Sequence, residues 1–197
     1  MGILARNLRT FPPSQRDDLG KYFQVVRRRL DQNLDAVSAA HNATTTLATL
    51  TAHSSEVDVG TVLHFQVAGT LTNDAGANIT ITPLIALNGT TVWTDTTGNI
   101  ADASGTEGQA FILDGRITWI TPSSIYLHGF FMLSPPDVSA TTGTGDISTM
   151  TGALAIPFYH TLSSQHIARD HIITTTLAIS NNSGASASKR FAALWAE

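Results

Sequence analysis

Histidine is the most frequent residue type here with metal-ligating or acid–base chemistry outside the ordinary carboxylates: seven occur, at His41, His53, His64, His128, His160, His166 and His171. His166, Asp170 and His171 are close enough in sequence to share a cation, but their spacing matches no common zinc signature. A threefold assembly offers another route, in which one histidine near the axis supplies three ligands. Solvent-facing or hydrogen-bonded histidines account for the same residues, so no metal and no cofactor is expected. Asp95-Thr96-Thr97-Gly98 differs from an aspartic-protease loop by its extra Thr. Serines are plentiful, yet there is no Gly-x-Ser-x-Gly elbow and no glycine-rich phosphate loop with its lysine. The chain has no cysteine, hence no disulfide framework, thiolate metal site or cysteine nucleophile. No catalytic residue is assigned, and the chain is read as a protein that is not an enzyme.

Binding chemistry is more plausible on composition. Trp93, Trp119, Tyr126 and Trp195 can line a sugar-binding face or belong to a core or subunit interface. Asn42, Asn78, Asn88 and Asn181 each open an Asn-x-Ser/Thr triplet, as chance allows in so Asn- and Thr-rich a chain. Up to residue 40 there are seven basic residues against four acidic ones; beyond it only Arg116, Arg169, Lys189 and Arg190 are basic, in a chain of net charge -4. A basic N-terminal segment therefore precedes an acidic, charge-poor body. Arg6, Arg9, Phe11, Arg27, Arg28 and Arg29 are the candidate partner-binding residues: either they dock on something acidic or they form a solvated face. Direct nucleic-acid binding is not expected, because the body lacks a basic surface interleaved with aromatics. No membrane partner is expected either, since no run of about 18 apolar residues occurs. Met1 to Thr10 hold two arginines with no apolar stretch behind them, so no signal peptide is expected.

These residues must be positioned by two kinds of element. Phe11-Pro12-Pro13 stops any earlier helix, and Ser14 and Asp17 suit a helix start. Leu19, Phe23, Val26, Leu30, Asn33 and Val37 then recur at spacings of four and three, which predicts a helix fading near Ala40. The stripe is either an oligomer seam with Asn33 as its register-setting polar member, or the buried side of a helix lying on its own domain. From Thr44 the pattern changes to period two with turn signals between segments. Strands are expected at about 44–53, 61–72, 78–87, 90–94, 109–121, 124–133, 153–161, 171–180 and 189–196. Leu63, Phe65, Val67 and Leu71 share one face, with His64, Gln66 and Thr70 on the other; Phe111, Leu113, Ile117 and Trp119 stand opposite Asp114, Arg116 and Thr118. Ser124 to Leu133 is apolar on both faces, which places it in a core or at a subunit interface. So many strands without intervening helices mean a sandwich, jelly roll or barrel. Residues 134–152 form a long polar insertion.

Val59-Gly60-Thr61-Val62-Leu63-His64-Phe65-Gln66-Val67-Ala68-Gly69-Thr70 resembles the opening of small jelly-roll domains in tailed-bacteriophage virion proteins. Leu87 to Trp93 is similar to their next hairpin, Phe111 to Thr118 to the long strand after it, and Ile172 to Leu177 with Ala193-Leu194-Trp195 to their last two strands. The resemblance covers roughly residues 45–197 and carries no catalytic signature. It implies a mainly β protein: an antiparallel jelly-roll sandwich over residues 44–197, tumour-necrosis-factor-like and homotrimeric. An N-terminal anchoring arm and one α-helix over residues 1–43 would precede it. The implied role is a capsid decoration (cement) or head-fibre protein in the virion, binding the major capsid protein or another virion structural protein. The alternative is a receptor- or glycan-binding tail fibre or tail knob.

Overall fold

The structure, a computed structural model, describes residues 28–73, 79–97, 108–134, 155–180 and 184–197. Among the described residues run β1 (Arg28–Asn33), β2 (Val37–Ala40), β3 (Thr44–Ala52), β4 (Val62–Asn73), β5 (Ile81–Leu87), β6 (Thr90–Thr94), β7 (Gly108–Thr121), β8 (Ser124–Leu133), β9 (Ala155–Ser163), β10 (His171–Ile179) and β11 (Ala185–Ala196). All pairings are antiparallel. The larger sheet runs β1-β11-β4-β7-β8-β9, with β2 also on β11; the smaller runs β3-β10-β5-β6. The nine segments predicted from alternation and turn residues are strands β3 to β11, with ends displaced by at most four residues.

Period-two alternation decides what lies between the sheets. β4 buries Leu63, Phe65, Val67 and Leu71, β7 buries Phe111, Leu113, Ile117 and Trp119, and β8 buries Ile125, Leu127, Phe131 and Leu133. They join Leu47 and Leu50 of β3, Ile81, Ile85 and Leu87 of β5, and Ile173, Leu177 and Ile179 of β10 in one core. Each such side chain removed from water contributes about 1.5–3 kcal/mol. Trp93 of β6 stacks on Phe158 of β9 at 4.5 Å between ring centroids, closing the core across the two sheets. At the β7–β8 pairing Gly115 faces Gly129, and the ring of Phe65 occupies the space a Cβ on Gly115 would need.

Residues 28–40 correct the helix expected to reach Ala40: they are the strands β1 and β2, hydrogen-bonded to β11 as part of the larger sheet. The seam positions accordingly separate. Leu30 packs against the core, Val37 pairs with Lys189, and the side chain of Asn33 accepts a hydrogen bond from Lys189. β11 is twelve residues long, and its second edge would otherwise leave a row of backbone N–H and C=O groups unpaired. A stripe with so few apolar members after residue 27 offers no competing burial to hold a helix against that pairing. Leu19, Phe23, Val26, Arg6, Arg9, Phe11, Arg27, the helix start at Ser14 and residues 135–152 of the polar insertion lie outside the described residues.

Candidate functional site on the outer face of the larger sheet

The strand registers align one row across five strands: Tyr159 on β9, His128 on β8, Arg116 on β7, His64 on β4 and Trp195 on β11. The next row holds Pro157, Phe130, Asp114 and Gln66. These positions alternate with the core residues of the same strands, so they face away from the smaller sheet.

At the centre is a polar network. His64 is buried and its Nε2 lies 2.9 Å from Asp114 Oδ2, which also accepts a bond from Gln66 Nε2 at 3.2 Å. His64 Nδ1 is 3.4 Å from Glu197 Oε1, an ion-pair separation outside good hydrogen-bond geometry. Arg116 reaches both acids, with Nη1 3.7 Å from Asp114 Oδ1 and Nε 3.9 Å from Glu197 Oε2. The His64 ring lies 5.2 Å from that of Trp195. Burial opposes ionisation of Asp114, but the bond with His64, the charges of His64 and Arg116 and the bond from Gln66 together hold its carboxyl below the usual value. Both ring nitrogens of His64 face carboxylates, so neither is turned toward a hydroxyl that it might activate. His64 and Asp114 are buried in this network, while Arg116 and Glu197 are partly open to solvent.

Around the network the face is apolar. Tyr126, Phe130 and Met132 of β8 and Tyr159 of β9 are exposed, Tyr159 to 74%. Tyr126 stacks on His128 at 5.2 Å. The strand predicted to be apolar on both sides is therefore buried on one side and open on the other. Four large side chains on two neighbouring strands form a patch of the kind that marks an interaction surface.

The other residues singled out from sequence are dispersed. Arg28 hydrogen-bonds Glu56 within the chain, and exposed Arg29 sits opposite Trp195. His166 is exposed. Asp170 accepts the Ser54 backbone N–H at 2.9 Å and lies 3.3 Å from His53 Nδ1. His171 is fully buried, 4.7 Å from the Trp119 ring. Among the described residues no group of three or more His, Asp or Glu is arranged to hold a metal ion. Of the four aromatics named, Trp93 and Trp119 are core, whereas Tyr126 and Trp195 belong to the outer face. The network itself escaped sequence reasoning, although its signal was present: His64 and Gln66 on one strand and Asp114 and Arg116 on another all occupy the polar phase.

Comparison of the chain with protein-family models, with curated proteins and with solved structures finds no match.

Proposed function

We propose that this chain is a structural virion protein of a tailed bacteriophage. In this reading it is a homotrimeric capsid decoration or head-fibre protein that binds and stabilises the head shell without catalysis. The strand order supports the jelly-roll part of the reading. With the β8–β9 hairpin set aside, and β1 and β2 counted as one edge strand, eight strands form two sheets of four. The first lies beside the last in one sheet, and the second beside the second-last in the other. That nesting is what the two Greek keys of a jelly roll would give, and it supports this reading.

The observation that carries the assembly is the exposed apolar band Tyr126, Phe130, Met132 and Tyr159 beside a network with both signs of charge. Contact around a threefold axis is heterologous, so the band would pack against a different face of the next subunit, with the partly open Arg116 and Glu197 at its border. The occupant is a second copy of this chain.

Light scattering tests it. The wild-type chain is expected at three times 20.9 kDa, and Phe130→Glu with Tyr159→Glu as a folded chain of about 20.9 kDa whose melting temperature is lower and no longer concentration-dependent. A wild-type monomer at micromolar concentration, together with isolated monomers on particles, would sink the trimer. For the particle, a ligand that binds only the assembled shell stabilises it by about 2.7 kcal/mol per site at 100 times its Kd. Stripped particles should release their genome at lower temperature, and added protein should restore the difference. Equal release temperatures with lost adsorption to host cells would replace the cement role by the tail-knob alternative.

A further inference from the structure

Lys189 is fully buried, at the point of β11 where it pairs with Gly69 of β4 on one side and Val37 of β2 on the other. Its Nζ lies 2.5 Å from Oδ1 of Asn33 and 3.5 Å from the Asn33 backbone oxygen. The backbone N–H of Asp35 donates to the same Oδ1 at 3.0 Å. Among the described residues no carboxylate lies within ion-pairing distance of Nζ. A buried ammonium without a carboxylate is a costly arrangement, and native proteins ordinarily pair such a charge. Here burial disfavours the ammonium, with the charge of Asp35 opposing, and the pKa is lowered. Nζ is thus held against a carboxamide whose oxygen has a backbone donor already aimed at it.

We infer that Lys189 and Asn33 join through their side chains in an intramolecular isopeptide bond that locks β1 to β11. The lone pair of neutral Nζ attacks Cγ of Asn33, and the C=O electron pair moves onto Oδ1, where the Asp35 N–H bonds the developing negative charge. The pair returns, the Cγ–Nδ2 bond breaks, and Nδ2 leaves as ammonia carrying the proton lost from Nζ. One amine and one primary amide become one secondary amide and one ammonia, with no oxidant or co-reactant. Asn33 is only half-buried, so solvent reaches the site to relay the proton and remove ammonia. The product replaces a buried amine that would otherwise carry charge with a neutral amide. It also closes a covalent loop between residues 156 positions apart, tying an edge strand to the last strand of the sandwich. This inference does not rest on the virion reading.

Intact-mass spectrometry of the full chain under denaturing conditions tests it. Protein purified folded should be lighter than its sequence by one ammonia, and proteolysis should release a branched peptide containing Asn33 and Lys189. Lys189→Met and Asn33→Ala should keep their full sequence masses. If these variants do not fold, the wild type still decides: chain recovered unfolded and held in denaturant should have full mass and lose ammonia only after refolding. Folded wild type at full sequence mass overturns the inference. So does an ammonia loss without a branched peptide, as a succinimide at Asn88-Gly89 would give.

Discussion

His171 lies in the core with its ring against Trp119, and burial is the main cause holding its pKa below the ordinary histidine value; Arg169 adds to this, while the Ile167 backbone and Asp170 only partly oppose it. The unfolded chain therefore takes up the proton first. Stability should be unaffected by this group above about pH 6.5 and should fall as pH drops through that value toward the lower folded pKa. Melting temperatures measured from about pH 8 down to about pH 5 should show that slope in the wild type and a smaller one in His171→Phe. Asp114 acts in a different window, because its folded pKa is depressed. Its contribution is present above the unfolded value of about 3.9 and is lost only as pH falls below it. Asp114→Asn should thus lie below the wild type at neutral pH, with the gap closing in strong acid. A gap unchanged at low pH would mean that Asp114 is not ionised in the network.

At the scale of the elements, two glycines are required for different reasons. Asn88 and Gly89, both with positive φ (51° and 80°), form the two-residue turn between β5 and β6, and the Asn88 side chain and backbone both bond to Ile172. Nothing lies within 4 Å of a Cβ placed on Gly89, so Gly89→Ala carries only the conformational penalty, about 1–2 kcal/mol. Gly129 has the opposite problem. A Cβ there would sit 2.1 Å from the Asp114 carbonyl and 2.7 Å from the Phe158 ring. Gly129→Ala should destabilise by about 1–3 kcal/mol through overpacking and should also shift the Asp114 strand beneath the outer network. Denaturant midpoints check both, and a neutral Gly129→Ala would show that β7 and β8 can separate locally. Pro157 lies on the edge strand β9, where a missing N–H is tolerated, whereas Pro83 is on the inner strand β5, opposite Leu177 of β10 and one residue beyond the last β5–β6 register pair.

For the whole molecule, the described core and both sheets are built from residues 28 onward. Deleting residues 1–13, the segment read from sequence as the anchoring arm, should leave the melting temperature unchanged while abolishing attachment to particles. Truncated protein that still occupies particles at wild-type levels would move the attachment to the body. Attachment through Arg6, Arg9 and the Arg27-Arg28-Arg29 run should weaken with added salt, since exposed charges are screened over about 8 Å at physiological ionic strength. Arg28 contributes least to that dependence, because Glu56 already engages it.

The sequence by itself determined the strands β3 to β11 and the inward faces of β4 and β7. Leu63, Phe65, Val67, Phe111, Leu113 and Trp119 alternate with polar residues, and a period of two is a local property that needs no partner to be read. It also determined the β5–β6 turn, since Asn-Gly tolerates positive φ at both positions. Only the tertiary structure decided residues 28–40. Their pattern suits a helix as well as a strand, and the open edge of β11, contributed from more than 140 residues away in sequence, tips the balance. The outer network is of the same kind. His64, Gln66, Asp114, Arg116 and Glu197 could each be placed on a polar face from the sequence, but which of them meet depends on strand order and register. Lys189 and Asn33 meet for the same reason: a bulge in β11 between Lys189 and Phe191 and the end of β1 converge, and no local pattern announces a contact made across 156 residues.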